Sequence, residues 1–185
     1  ALSNGGDFAE VFVEDRFNTN IKMVGGYVEN SISGGDFGIG IRIFDGLNSV
    51  YAYTNDSSEE NLIKVAKEVA LALSSNKEDI VLNLMKSSIP NLHSVKIIPN
   101  SVDKAKKVEL LKRGYDYAKN YDPLITQVTT NYFDEEQKVL IANSEGLMVE
   151  DKRVRTRFYV QSVASKDGEM QVGFYAPGAS MGFEF

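Results

Sequence analysis

Apolar and polar residues alternate with period two near both ends of the chain and follow a helical period between them. Ala9, Val11 and Val13 alternate with Glu10 and Glu14, and Phe12 adds apolar weight to the other face. Ile21 and Met23 lead into Gly25-Gly26, a turn signal, and Val28 and Ile32 follow on a return strand. Ile39, Ile41 and Ile43 alternate up to Asp45-Gly46, and Val50 to Tyr53 come back. Asp-Gly between two such runs predicts a hairpin, because both turn positions tolerate positive φ. Ser57 and Glu60 then have the spacing of a capping box. Leu62, Val65, Ala66, Val69 and Leu73 make one apolar helical stripe, and Ser74-Ser75-Asn76 stops it.

The stretch 77–100 is less regular. Ile80-Val81-Leu82 and Val95-Lys96-Ile97-Ile98 are candidate short strands, interrupted by Pro90 and Pro99. A second helix is predicted from Val102 to Tyr121, with Val108, Leu111, Tyr115 and Ala118 inward and Asp122-Pro123 ending it. Strands return over 124–176. Val128, Thr130 and Tyr132 open them, and a turn follows at Ser144-Glu145-Gly146. Val154, Thr156, Phe158 and Val160 line a long strand; Lys166-Asp167-Gly168 turns it, and Met170, Val172 and Phe174 come back. The small residues from Ala176 to Phe185 read as a connection.

The two strand blocks resemble copies of one unit, 1–75 and 102–176, each with a Gly turn, a long strand, an Asp-Gly turn and an aromatic last strand. Gly26 to Gly46 spans 20 positions and Gly146 to Gly168 spans 22, so the pattern recurs at nearly equal spacing. The expected fold is α+β: two similar antiparallel β-meander units with helices packed on one side. The opening Ala1-Leu2-Ser3-Asn4-Gly5-Gly6 reads as a helix end with a glycine cap, so the natural chain is expected to begin further upstream.

Composition narrows the function. A hydrophobic fraction of 43% in 185 residues can fill a core, and no apolar run is long enough to span a membrane. The absence of cysteine removes disulfides, thiolate catalysis and cysteine metal sites, and fits a reducing, cytoplasmic setting. A net charge of −6 runs against non-specific nucleic-acid binding, which draws its affinity from basic side chains.

Candidate chemistry is sparse. His93, the one histidine, lies in Asn91-Leu92-His93-Ser94 without a partner at metal-ligand spacing, so neither a catalytic nor a metal set is assigned to this chain. Gly34, Gly35, Gly38 and Gly40 lack the pattern of a phosphate loop and precede a strand, which points to close strand packing or a bulge. Strand alternation puts Arg153, Arg155 and Arg157 on one face, a candidate partner-binding surface or a solvated, salt-bridged sheet face. Glu10, Glu14 and Asp15, and Asp134, Glu135 and Glu136, read as exposed acids.

A family resemblance joins these pieces. Gly6-Asp7-Phe8-Ala9-Glu10-Val11, Val28-Glu29, Gly38-Ile39-Gly40-Ile41-Arg42 and Tyr51-Ala52-Tyr53-Thr54-Asn55 resemble the start of TldD/PmbA proteins, also called modulators of DNA gyrase. Phe158-Tyr159-Val160-Gln161-Ser162-Val163-Ala164 and Gly182-Phe183-Glu184-Phe185 resemble the end of the same N-terminal domain, closer to the TldD branch. The resemblance covers nearly all of 1–185. It implies a soluble zinc metallopeptidase of unfolded peptides, built as a homo- or hetero-dimer, with zinc on a His-Glu-x-x-x-His helix in a C-terminal domain. That pattern does not occur in this sequence, so the expectation is a non-catalytic N-terminal domain that shapes substrate access and assembly. A stand-alone protein-binding or dimerisation module is the alternative expectation.

Overall fold

A computed structural model of the chain describes residues 1–73, 83–90 and 92–185. The expected helix stop at Ser74-Ser75-Asn76, the strand at Ile80-Val81-Leu82, and Asn91 lie outside the described residues. In chain order the described elements are β1 (Phe8–Val24), β2 (Tyr27–Asp45), β3 (Asn48–Thr54), α1 (Glu59–Leu71), β4 (Met85–Ser88), α2 (Lys104–Lys119), β5 (Ile125–Asn143), β6 (Leu147–Lys166), β7 (Glu169–Tyr175) and β8 (Gly178–Ala179). The opening residues Leu2–Asn4 form a single 3-10 turn with Gly5 at its end.

Hydrogen bonding gives the strand order β3-β2-β1-β5-β6-β4, with β7 and β8 also paired to β6. The β2–β3 and β6–β7 pairs are antiparallel, and β4 runs parallel to β6. The chain is therefore α+β with antiparallel meanders, as the alternation predicts. Each meander has two long strands and a short last one: 17, 19 and 7 residues in β1–β3, and 19, 20 and 7 in β5–β7.

Strands this long exceed the usual five or six residues, and each long strand contributes residues to both compact units. Unit 1 draws on Ala1–Arg16, Asp36–Asn91 and Gln137–Lys152; unit 2 draws on Phe17–Gly35, Leu92–Glu136 and Arg153–Phe185. The compact units thus do not coincide with the blocks 1–75 and 102–176, since both blocks contribute to both.

In unit 1, Ala9, Ile41 and Ile43 pack against Val65, Val69, Ala70 and Leu73. The helix stripe is as expected, with Ala70 added. Its cap is Ser58 rather than Ser57: the Ser58 hydroxyl accepts from Asn61 N–H. Asp56 takes the Ser58 N–H, which sets the start one residue later. In unit 2, Ile21, Met23, Leu111 and Tyr132 form the core, joined by Val108, Tyr115, Phe158 and Phe183. Helix α2 starts later than Val102, because the Asp103 carboxylate accepts the Ala105 N–H and caps it.

The two predicted Asp-Gly turns differ. Asp167 (φ 52°) and Gly168 (φ 85°) fill the β6–β7 turn as expected. In the β2–β3 hairpin Asp45 still pairs with Asn48, so the turn is Gly46-Leu47. Only Gly46 has positive φ there, and its N–H donates to the Asp7 carboxylate at 2.6 Å.

Candidate functional site

Strand β6 carries the basic run. Val154 and Thr156 are buried, whereas Arg153, Arg155 and Arg157 are all exposed on the opposite face. Arg155 is paired with Glu135 at 2.9 Å. The face is at least partly a salt-bridged sheet surface. The Glu135 side chain is largely buried, whereas Arg155 stays half exposed.

The expectation that Asp134 is an exposed acid is wrong. Its side chain is 1% exposed and accepts from Lys107 Nζ at 2.5 Å, with Lys107 itself 2% exposed. Inside a core a charge is tolerated only when paired, because desolvation otherwise costs several kcal/mol. The Lys107 ammonium also stands 5.4 Å from the centre of the Tyr132 ring. Burial, and then the Asp134 charge, hold the Tyr132 hydroxyl well above the usual phenol range. That hydroxyl lies close enough to Asp134 to feel it, yet makes no hydrogen bond of good geometry. Of the other acids expected to be exposed only Asp15 is, pairing with Lys138 at 3.1 Å; Glu10, Glu14, Glu135 and Glu136 are half-buried, Glu14 accepting from Gln137 Nε2 and Glu136 from the Asn100 N–H.

The tail is not a loose connection. Strand β8 pairs with β6 at Thr156 and Arg157, and the Phe183 ring meets Tyr132 edge-on at 6.0 Å between centroids. The Glu184 carboxylate accepts N–H bonds from Lys96 (3.0 Å), Ile97 (2.8 Å) and Gly182 (3.2 Å). The Lys96 N–H is the largest of the contributions that hold its pKa down at about 2. Phe183 N–H donates to the Ile97 carbonyl. These bonds occupy the backbone that Val95-Lys96-Ile97-Ile98 was expected to commit to a strand, and that segment forms none. Gly182 is required because a Cβ there would lie 2.1 Å from the Ile97 oxygen.

An open groove of ≈ 530 Å³ lies between α2 and the β6–β7 hairpin, lined chiefly by Tyr117, Tyr121, Val160, Gly173, Phe174 and Tyr175. Gly114 lets α2 approach the strands, since a Cβ there would meet the Phe158 ring at 2.6 Å. Phe174 and Tyr175 are 72% and 69% exposed, so a large aromatic surface faces solvent. Among the described residues β7 pairs only with β6, leaving the N–H and C=O groups of its other edge unpaired by strand partners. No Lys or Pro guards that edge. The alternation of Met170, Val172 and Phe174 marks β7 but not the groove, whose helix side comes from the exposed Tyr117 of α2 and Tyr121 beyond its end.

No three His, Asp or Glu side chains converge among the described residues, and His93 is exposed outside any helix or strand. The residues described here therefore do not fit a zinc site. No helix among them is long and apolar enough to cross a membrane.

Comparison with known proteins decides the family. Residues 9–73 match the model of the PmbA/TldA metallopeptidase domain 1, and residues 97–185 match that of the PmbA/TldA metallopeptidase central domain. The chain belongs to the PmbA/TldD family. Two of the family's domain models thus match separate parts of the chain. A metalloprotease of Methanocaldococcus jannaschii is 29% identical over 97% of the chain. A metalloprotease TldD homolog of Buchnera aphidicola is 18% identical over the same share. The chain spans 40% and 37% of the lengths of these relatives. Among solved structures, a proposed modulator of DNA gyrase from Thermotoga maritima matches with a TM-score of 0.75 at 17% identity, over 94% of this chain and 40% of that one. TldE from Thermococcus kodakarensis matches with a TM-score of 0.65 at 18% identity, over 94% and 40%. These structures share the fold.

Proposed function

We propose that this chain is the non-catalytic, substrate-holding part of a TldD-like zinc metallopeptidase that acts on unfolded peptides. The observation that carries the reading is the unguarded β7 edge beside the aromatic groove of unit 2. An extended peptide added to a strand edge gains main-chain hydrogen bonds whatever its sequence. Aromatic side chains beside that edge take up apolar residues of varied shape with little entropy loss. Together they suit a ligand that is unfolded and not specified by sequence. Zinc and the groups that activate water belong, in this reading, to the remainder of a protein of the relatives' length. The chain also contributes to assembly with that remainder and with a related subunit, in the cytoplasm.

Chemical-shift mapping of the labelled chain with an unstructured peptide tests this. The expected result is a contiguous set of amide shifts along Glu169–Tyr175 together with Tyr117 and Tyr121. Shifts scattered over the solvent face of α1, with β7 silent, would remove the reading.

A further inference from the structure

Unit 1 has its own open edge, built differently from that of unit 2. Strand β3 ends the strand order and pairs with β2 in a regular register from Ile39–Thr54 to Asp45–Asn48, without a bulge. Its seven residues include no Lys and no Pro, and among the described residues β3 pairs with no strand but β2. Ile39, Ile41 and Ile43 turn into the core, which leaves Gly38, Gly40, Arg42 and Phe44 on the outer face of β2. Tyr53 lies over Gly38 and Tyr51 over Gly40 so closely that a Cβ at either glycine would meet the ring at 2.3 Å and 2.8 Å. The rings are thereby held against the sheet, yet remain 58% and 56% exposed. This face already holds one cation against aromatics: the Arg42 guanidinium is 5.3 Å from the Tyr51 centroid and 5.9 Å from that of Phe44.

Charge decides what the edge accepts. From Arg42 to Lys64, through the turn, the edge strand and the helix start, four carboxylates (Asp45, Asp56, Glu59 and Glu60) stand against the two flanking cations, which leaves the stretch acidic. We infer that β3 is a docking edge for an extended segment of another polypeptide bearing Lys or Arg at alternate positions. Its backbone pairs with Asn48–Thr54. Its cationic side chains lie over the Tyr53 ring, the one not already faced by Arg42, and reach the carboxylates at the two ends of the strand. Cation–π contact and a low-salt electrostatic pull act together in such a site. This edge is separate from β7 and goes beyond the reading above, which asks for no charge in the peptide.

The test titrates the labelled chain with two unstructured peptides of equal length, one carrying Lys at alternate positions and the other Glu at the same positions. The Lys peptide should shift the amides of Asn48–Thr54 and the ring signals of Tyr51 and Tyr53. The Glu peptide should bind this edge at least tenfold more weakly, and raising the salt should narrow the gap. The double change Glu59→Gln with Glu60→Gln, at exposed positions, should weaken the Lys peptide severalfold at β3 while leaving any β7 shifts unchanged. Tyr53→Leu should do the same, with the spectrum of the free variant serving as the fold check. Equal binding of both peptides at β3, or no β3 shifts with either, overturns the inference. The β7 shifts report separately on the proposed function.

Discussion

Unit 1 closes its core with aliphatic side chains, with Ile41, Ile43, Val65 and Val69 all buried and nothing polar among them. Unit 2 instead holds every buried polar or charged side chain described: Thr19, Lys107, Thr130, Asp134 and Thr156. An apolar core is held by fit and area, and tolerates swaps of similar volume. A core with a buried ion pair is held by partners, and losing one partner leaves a charge stranded. The polar core is also where the tail docks, because Thr156 donates to the Met181 carbonyl at 2.9 Å and Tyr132 meets Phe183. We read the difference as a division of labour in which unit 2 fixes one register of strands and tail around its groove.

The most damaging way to break the contrast is Asp134→Ala, which strands the Lys107 ammonium. Removing one partner of a buried pair costs about 3–5 kcal/mol. The joint change Lys107→Met with Asp134→Leu should recover most of that loss. Denaturant unfolding checks both, and an Asp134→Ala cost below about 1 kcal/mol would dissolve the distinction. In unit 1 the corresponding lesion is a cavity. Ile43→Ala should cost about 2–5 kcal/mol and Ile43→Val about 0.5–1.5 kcal/mol, with no partner change able to compensate.

A smaller effect separates the tail from the rest. The Glu184 carboxyl sits at about 2 in the fold, against about 4.3 in an unfolded chain. A folded value below the unfolded one means stabilisation that is present above about pH 4.3 and lost as pH falls through about 2. Glu184→Gln should therefore weaken tail docking at neutral pH and flatten its pH dependence across that window, read from the Phe183 and Tyr132 ring signals. Smallest of all, Lys138→Ala removes an exposed pair with Asp15 and should change stability by less than about 1 kcal/mol.

Much of this was legible in the chain. The strand alternation, the Gly25-Gly26 and Asp167-Gly168 turns and the α1 stripe are local signals, and local geometry obeys them. Gly34, Gly35, Gly38 and Gly40 suggest close strand packing or a bulge; Gly38 and Gly40 lie under the Tyr53 and Tyr51 rings, whereas a Cβ on Gly34 would meet nothing within 4 Å. The buried pair was misread although its signals were present. Lys107 stands one helical turn before Leu111, on the inward stripe of α2, and Asp134 continues the alternation Val128, Thr130, Tyr132. A charge at the end of an apolar pattern reads as the pattern stopping, and only the pairing of two distant elements shows that it continues. The tail was misread for the same reason. Glu184 acts on Lys96 and Ile97, nearly ninety residues away, and spacing along the chain carries no sign of that contact.

The central claim is that unit 2 holds an extended peptide by main-chain pairing to β7. Backbone N-methylation of the ligand tests it most directly, because a strand added to an edge points alternate N–H groups at that edge and the others away. Two versions of one unstructured peptide, methylated on alternating nitrogens in opposite phase, would be titrated against the chain and followed through the Glu169–Tyr175 amides. The account predicts that one phase binds nearly as the parent peptide does while the other loses at least tenfold in affinity. Equal affinity of both phases, at the strength of the unmodified peptide, would contradict it.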